Sequence, residues 1–279
     1  MSRVALAVGG AALVLIGGAV LTWGTPDSAE GRSTPVTGVE RVRIDGRSGD
    51  VRIRHEPGGT GDVEQTVRRW GLFGREAPEH RVDGGTLVLD GDCGWWCSVE
   101  YDVVLPAAVP VDGHVGSGDV HVTGMRSVRV EVGSGGIEAT GVQRSVDART
   151  GSGSIAVRDA RGPVQVRSGS GQIELASIGG DLRARTGSGQ IRGDDIAGER
   201  VRARSSSGGV DLGLTGPREA ELSTGSGRIE VTVPPDRYRV DSETGSRDVD
   251  IGVVRDPDAD RRLELSTGSG GIRVAADEG

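Results

Sequence analysis

The chain has 279 residues, of which 34% are apolar, 49 are glycine, and only four Trp, two Tyr and one Phe are aromatic. So few aromatic side chains disfavour the bulky core of a large α/β enzyme, and a formal net charge of −8 argues against a general nucleic-acid binder. All 33 basic residues are Arg, since Lys is absent, which excludes a Lys-based active site.

The chain begins with an apolar segment. Residues 4–23 are uncharged and long enough to cross a hydrocarbon core of roughly 30 Å as a helix. We therefore predict a transmembrane anchor over residues 1–24, with a cleaved signal peptide as the alternative. Arg3 before the segment and acidic residues after it predict a single-pass protein of the cell membrane whose C-terminal part lies outside the cytoplasm. Residues 25–35 are expected to form a polar linker.

Residues 36–112 are predicted to form an N-terminal β cap. Runs typical of strands occur at residues 62–69, 86–90 and 98–105. The phrase that starts at Arg47, RSGDV, resembles an early copy of a turn that recurs later in the chain. A cap is needed because the first unit of a repeat stack would otherwise present an unpaired edge.

The only two cysteines, Cys93 and Cys97, lie in this cap. In an oxidising compartment we expect them to form a disulfide that closes a small loop. The four histidines, at positions 55, 80, 114 and 121, show no ligand spacing, so no metal or other cofactor is predicted.

Four aromatic residues fall in the loops of the cap. They are either a contact patch for a partner or the bilayer surface, or an apolar plug over the first coil, and the plug is favoured because a solenoid end must be covered. The four residues are Trp70, Phe73, Trp95 and Trp96.

Residues 113–279 contain a repeat. A short Gly- and Ser-rich phrase followed by Val or Ile starts at positions 116, 133, 151, 169, 187, 206, 225, 245 and 268, with a period of about 18 residues. Each unit holds two stretches in which apolar residues alternate with polar ones, which predicts an all-β, single-chain β-solenoid of about nine coils. We expect glycine at the turns because it adopts positive φ without penalty, so that Gly187→Val breaks the stack.

These features resemble a known family. The repeats, the N-terminal apolar segment and the two-cysteine insertion before VVLP at residues 103–106 resemble the bacterial putative-adhesin family of domains of unknown function, the "toast-rack" β-solenoid group. The resemblance covers about residues 39–275. It implies a β-solenoid of the cell envelope, often associated with envelope-stress systems, with no established catalytic residues.

One outward position of the second strand in each unit is repeatedly Arg. Stacked coils would bring these guanidinium groups together as a face for the phosphate or carboxylate groups of wall polymers or lipid head groups. The equally good alternative is a solvated face whose arginines pair with neighbouring acids such as Asp147 or Glu199. The residues of this candidate anionic-ligand face are Arg149, Arg167, Arg183, Arg185, Arg202 and Arg204.

No set of residues in the chain has the pattern of a catalytic site. The serines of the turns are repeated, and all four histidines precede residue 122, which disfavours a Ser–His arrangement. We therefore predict a non-catalytic, adhesin-like interaction or envelope-sensing module that contacts an anionic envelope polymer, lipid head groups or a protein partner. The alternatives are a polysaccharide-processing β-helix enzyme and a self-associating structural stalk.

Overall fold

A computed structural model describes residues 28–69, 79–94, 96–246 and 248–277. Within these ranges the chain is all-β, with 26 strands and no helix, as the repeat predicts. The strands that precede the regular repeats are β1 (Ser28–Val36), β2 (Arg41–Ser48), β3 (Val51–His55), β4 (Gly61–Arg69), β5 (Arg81–Asp83), β6 (Thr86–Asp90), β7 (Cys97–Leu105) and β8 (Pro110–Ser117).

The repeats supply two strands per coil. The regular coils contain β9 (Val120–Thr123), β10 (Ser127–Ser134), β11 (Ile137–Thr140), β12 (Val146–Ser152), β13 (Ile155–Ala160), β14 (Val164–Ser168), β15 (Ile173–Ile178), β16 (Leu182–Thr186), β17 (Ile191–Ile196), β18 (Arg200–Ser205), β19 (Val210–Leu214), β20 (Glu219–Thr224) and β21 (Ile229–Val233). The C-terminal strands are β22 (Arg237–Thr244), β23 (Val249–Ile251), β24 (Val254–Arg255), β25 (Arg262–Thr267) and β26 (Ile272–Ala276).

The strands form two sheets of 13 strands each. The first sheet has the order β1-β4-β7-β3-β9-β11-β13-β15-β17-β19-β21-β26-β23, and the second has the order β24-β22-β25-β20-β18-β16-β14-β12-β10-β8-β2-β6-β5. Odd and even strands of the regular coils therefore alternate between the sheets, and their pairing is parallel. This is the β-solenoid that the period predicts.

The core lies between the two sheets. Alternate residues of every regular strand point inward, as Ile155 and Val157 do in β13 and Val164 and Val166 do in β14, and all four are buried. A third buried row marks the bend opposite the Gly-rich turns and consists of Val142, Ala160, Ile178, Ile196 and Leu214. Aliphatic side chains supply most of this interior, and a few larger residues such as Tyr238 are also buried there, so a chain with few aromatic residues keeps a continuous core.

The Gly-rich turns exclude side chains because successive coils lie in close contact. A Cβ atom on Gly187 would lie 2.3 Å from the carbonyl oxygen of Gly169 in the preceding coil. The expected left-handed φ occurs at the third position of the early turn phrases, at Gly118 (133°) and Gly135 (144°), but not at first-position glycines such as Gly133 and Gly187. Positive φ is therefore an incomplete reason for glycine, since at the first position the close approach of two backbones requires it.

A column of buried hydroxyl groups runs beside these turns. The Thr186 hydroxyl donates to the Gly171 carbonyl of the preceding coil at 2.9 Å and accepts from the Gly189 amide at 3.2 Å. The equivalent donors in the other coils are Thr150, Ser168, Ser205, Thr224 and Thr267. Each hydroxyl therefore links one turn to the coil below it.

The N-terminal strands continue the same two sheets. Strand β2 pairs with β8, and β3 pairs with β9, so the coil that contains Arg47 lies directly beneath the regular repeats. The expected boundary between residues 112 and 113 falls inside β8. Within residues 36–112, β6 and β7 cover the unpaired backbone of the first coil.

The segment expected to be a polar linker, residues 25–35, forms a strand in the part that the structure describes. Residues 28–36 form β1, which pairs antiparallel with β4 along its whole length. The physical reason is that β4 would otherwise present a free edge of unpaired backbone groups to solvent. The predicted anchor over residues 1–24 lies outside the described residues, and no helix within the described ranges is long and apolar enough to cross a membrane.

The C-terminal coils do not stack in sequence order. Strands β25 and β26 lie directly on β20 and β21, while the earlier β22 and β23 lie beyond them, with β24 at the outer edge of β22. Gly268 accordingly approaches Gly225, and Gly245 approaches Gly268. The expectation that each repeat stacks on the preceding one is therefore wrong for these last two coils.

Candidate anion-binding face

Arginines recur at two outward positions on the second sheet. Arg149 of β12 lies in register with Arg167 of β14, which is followed by Arg185 of β16 and Arg204 of β18. We call these four residues the arginine column. Arg183 and Arg202 lie two residues upstream in β16 and β18 and are also in register with each other. The six residues together are the arginine face.

Strand alternation holds these side chains outward. Arg185 lies between the buried Ala184 and Thr186, and Arg167 lies between the buried Val166 and Ser168. A shift of one residue in the register would bury a guanidinium and expose the core, so the hydrophobic pattern fixes the orientation of the arginines. Neighbouring parallel strands lie about 4.8 Å apart, so the column spans about 14 Å along the solenoid axis.

The arginines at the ends of the face have acidic or hydroxyl partners. Arg149 donates to Asp147 at 2.9 Å, as the solvated-face alternative expects. Arg202 contacts Glu219 at 3.3 Å and Glu221 at 3.0 Å. Arg204 donates to the Ser223 hydroxyl at 2.9 Å and also forms an ion pair with Glu221 at 3.7 Å. Sequence reasoning missed the partners in β20, although their positions one repeat after the arginines could have indicated them.

The arginines in the middle of the face have no such partners. Among the described residues, Arg167, Arg183 and Arg185 form neither an ion pair nor a side-chain hydrogen bond. Like charges on adjacent strands repel each other, so this group is unfavourable unless an anion neutralises it. Glu199, the other acid expected to pair with the face, has no ion pair with it in the described structure.

Two shallow depressions lie on this face. One of about 210 Å³ is lined by Arg183, Arg185, Arg202 and Arg204, and a second of about 640 Å³ extends from Arg183 and Arg202 toward Asp181. A bidentate hydrogen bond from Arg200, at 2.9 and 2.6 Å, lowers the pKa of Asp181 below its ordinary value. That edge of the face is therefore already neutralised, and the available positive charge lies toward the column.

On the same coils, the outer surface of the first sheet differs from the arginine face of the second sheet. A groove of about 720 Å³ opens where the register shifts between Gly193 and Ile196 of β17. Its lining mixes acids with arginines and includes Asp211, whose pKa is raised by burial and by the nearby Glu230. In the described part of the chain, no group of three or more His, Cys, Asp or Glu side chains is arranged to hold a metal ion.

The outward row of the first sheet mixes acidic residues with arginines. Glu230 lies in register with Arg273, and Arg273 lies in register with Asp250. The inserted C-terminal strand β26 thus places a basic residue between two acids that the sequence order makes neighbours. Arg192 likewise separates Glu174 from Asp211.

The candidate residues of the N-terminal region lie far from the arginine face in sequence, and their surroundings differ from those of the arginines. Cys93 and Cys97 form a disulfide with a Cα–Cα distance of 5.9 Å, and both are buried. Trp96, between them, is 65% exposed and so does not act as a plug. Trp70, Phe73 and Trp95 lie outside the described residues.

The fold and the face together define the chain as a β-solenoid with parallel coils and one arginine-rich face. No protein-family model matches the chain, and no curated protein matches it. Solved structures do resemble it, and they are described as adhesins, like the family that the repeats resemble. They include a putative adhesin from Bacteroides fragilis NCTC 9343, with 12% identity, a TM-score of 0.43, and coverage of 90% of this chain and 97% of that chain.

Two further similar structures have lower TM-scores. A putative adhesin from Parabacteroides distasonis ATCC 8503 has 11% identity and a TM-score of 0.34, with coverage of 89% of this chain and 98% of that chain. A putative cell adhesion protein from Clostridium sporogenes ATCC 15579 has 11% identity and a TM-score of 0.24, with coverage of 90% and 100%. At these identities and TM-scores the likeness does not establish what this chain binds.

Proposed function

We propose that the chain is a non-catalytic, adhesin-like binding module outside the cytoplasm, held at the membrane by residues 4–23. Its arginine face binds anionic polymers of the cell envelope. The proposal depends on a group of three arginines, Arg167, Arg183 and Arg185, that are in register or adjacent and have no acidic partner. This unpaired basic group occurs in a protein whose net charge is −8.

The chemistry of the face favours binding over catalysis. Guanidinium groups stay protonated at any physiological pH and present several donors in a plane, which suits phosphate and carboxylate groups. They supply neither a nucleophile nor a general base in this environment. The adhesion names of the similar solved structures are compatible with this role, but the proposal depends on the face itself.

The test is cosedimentation of the full chain, held in neutral nanodiscs, with isolated cell-wall material at low and high salt. We compare the chain with a variant in which Arg167, Arg183 and Arg185 are changed to Ser. Each arginine near an anionic surface contributes about 1 kcal/mol, so binding at low salt should fall about a hundred-fold in the variant. High salt should weaken binding of the unaltered chain, because it screens these charges.

The matched control removes the same number of positive charges from elsewhere. Arg52, Arg228 and Arg273 are exposed residues outside the arginine face, and their change to Ser should leave binding within about two-fold. Equal losses in the two variants would mean that only net charge matters, and the proposed face would be wrong. Binding by vesicles that contain phosphatidylglycerol, without binding by wall material, would assign the face to lipid instead.

A further inference from the structure

The positive charge of the arginine face is arranged as a strip along the solenoid axis. The arginine column places one guanidinium on each of four consecutive parallel strands. Glu131 is the register partner before Arg149, and Ser223 follows Arg204, so the column has a defined beginning and end. Its length is about 14 Å at a strand spacing of about 4.8 Å.

Along strands β12 and β18, by contrast, acidic residues neutralise the arginines. In β18, Arg200 is held by Asp181 at 2.6 Å, and Arg202 is held by Glu219 and Glu221. In β12, Arg149 is preceded by Asp147. An anionic ligand that ran along β12 or β18 would therefore meet carboxylates or arginines that already have partners, and one that ran along β16 would meet only Arg183 and Arg185. One that crosses the strands would meet all four guanidinium groups of the arginine column.

The strip is narrow, and its width favours a polymer over a membrane as the ligand. A flat anionic surface laid on the second sheet would contact Asp147, Glu219 and Glu221 together with the arginines. These acids flank the strip and would repel it. A single chain can follow the column without contacting both flanks.

We infer that the ligand of this face is a linear polymer with phosphate in each repeating unit, which lies across the strands and along the arginine column. This inference rests on the proposed function and specifies its ligand. Each internal phosphate of such a polymer is charged at physiological pH and directs its two non-bridging oxygens tetrahedrally to different sides, so guanidinium groups of two neighbouring coils can share it. The column repeats this arrangement from coil to coil.

The first experiment measures affinity against ligand length, with linear inorganic polyphosphates of increasing length as the probe. We expect affinity of the full chain to rise steeply until the polymer spans the column, and then to level off. A long polymer should bind at least thirty-fold more tightly than pyrophosphate. For contacts with about four phosphates, the logarithm of affinity should fall with the logarithm of salt concentration with a slope of about 3.

The second experiment tests the direction of the bound polymer with two variants that differ by two positions. Arg185→Ser interrupts the middle of the column. Arg183→Ser is its control, because both residues are exposed arginines of β16 without an acidic partner. We expect Arg185→Ser to lower affinity for long polyphosphate at least ten-fold and Arg183→Ser about three-fold, with equal effects of both variants on pyrophosphate binding.

Three outcomes would overturn the inference. A larger loss in Arg183→Ser would reject the axial direction, affinity independent of polymer length would reject a linear ligand, and equal binding of an oligogalacturonate would reject phosphate. If wall material binds but polyphosphate does not, this inference fails and the proposed function stands. If neither binds, both fail. Thermal unfolding of each variant at the same temperature as the unaltered chain excludes a folding defect.

Discussion

The regular coils and the N-terminal region are stabilised by different devices. In the coils, β9 to β21, a glycine contact recurs at each turn, and from β12 onward a buried hydroxyl recurs beside it, because each coil rests on one of the same shape. In the N-terminal region, β1 to β8, strands β4 and β7 pair antiparallel, and a disulfide and the buried Tyr101 hold the segment over the first coil. A repeat can thus stabilise its interior uniformly, but its first unit needs contacts that do not repeat.

The two regions can be followed separately. All four tryptophans, at positions 23, 70, 95 and 96, precede the regular coils. Trp23 lies in the predicted anchor, and the other three lie in the N-terminal region, so a change in tryptophan fluorescence on unfolding reports on that region. Far-ultraviolet circular dichroism reports on the strands of both regions. A substitution that affects one region should shift the two signals to different extents, since nearest-neighbour contacts dominate the energetics of a repeat stack.

The largest effect is expected for Gly187→Val in the coils. The new Cβ would lie 2.3 Å from the Gly169 carbonyl oxygen, so the two turns must separate. We expect a loss of about 3 kcal/mol, or about 6–12 °C in the thermal midpoint measured by circular dichroism, with a smaller shift in fluorescence. Gly59→Val is the control, because its Cβ would meet only the Glu56 carbonyl oxygen, at 3.6 Å. An unchanged midpoint in Gly187→Val would contradict the turn contact.

The next effect is expected from removal of the disulfide in the N-terminal region. The double change Cys93→Ala and Cys97→Ala opens a small loop, which in the chain-entropy account costs about 2 kcal/mol. Fluorescence should report an earlier transition, while the main transition in circular dichroism should move less. A reducing agent should reproduce the effect in the unaltered chain and leave the double variant unchanged. Equal shifts of both signals would show that the two regions unfold as one unit.

The sequence predicts the regular coils well for a physical reason. Inward positions such as Ile155 and Val157 alternate strictly with outward ones, and the same parity returns in every unit, so the residue pattern alone places the strands, core rows and turns. The stacking order depends on a further detail of the turns. The Gly225 phrase could be followed by the phrase at Gly245 or at Gly268, because both begin with Gly-Ser, but only the Gly268 phrase has glycine at its third position. A Cβ atom on Gly270 would lie 1.8 Å from the Gly227 carbonyl oxygen, so the stack requires glycine there.

The sequence predicts where the arginine face lies but not which of its arginines have acidic partners. The period puts Arg167 and Arg185 at equivalent positions, and parallel pairing makes them neighbours. Whether a given guanidinium is neutralised depends on side-chain rotamers and on residues one coil away, such as Glu219 and Glu221 for Arg202. A pattern of residue types does not specify those contacts, so the unpaired group emerges only from the structure.

A smaller effect is expected for Thr186→Val in the coils. Valine has nearly the shape of threonine but leaves the Gly171 carbonyl and the Gly189 amide without the hydroxyl that links them. We expect a loss of about 1–2 kcal/mol in urea unfolding followed by circular dichroism. Thr232→Val, on the outer side of β21, is the control and should change stability by less than about 0.5 kcal/mol. Equal stability of both variants would mean that the hydroxyl column contributes nothing.

The smallest effect is expected for Tyr101→Phe, and it depends on pH. Burial raises the pKa of Tyr101 well above its ordinary value, and the Tyr101 hydroxyl donates to the Asp90 carbonyl at 2.7 Å. Burial also raises the pKa of Tyr238. At neutral pH the lost hydrogen bond should cost about 1 kcal/mol.

A raised pKa in the folded chain gives stability that is complete below the unfolded pKa of about 10 and is lost as the pH rises above it. Because the chain contains no Lys, its two tyrosines are the side chains that titrate reversibly in this range. Urea unfolding between pH 9 and about pH 11, followed by tryptophan fluorescence, should therefore show a steep alkaline loss for the unaltered chain. Tyr101→Phe should lose most of that slope in the fluorescence signal, because Tyr238 lies in the C-terminal coils. An unchanged slope would mean that Tyr101 is not held protonated by the fold.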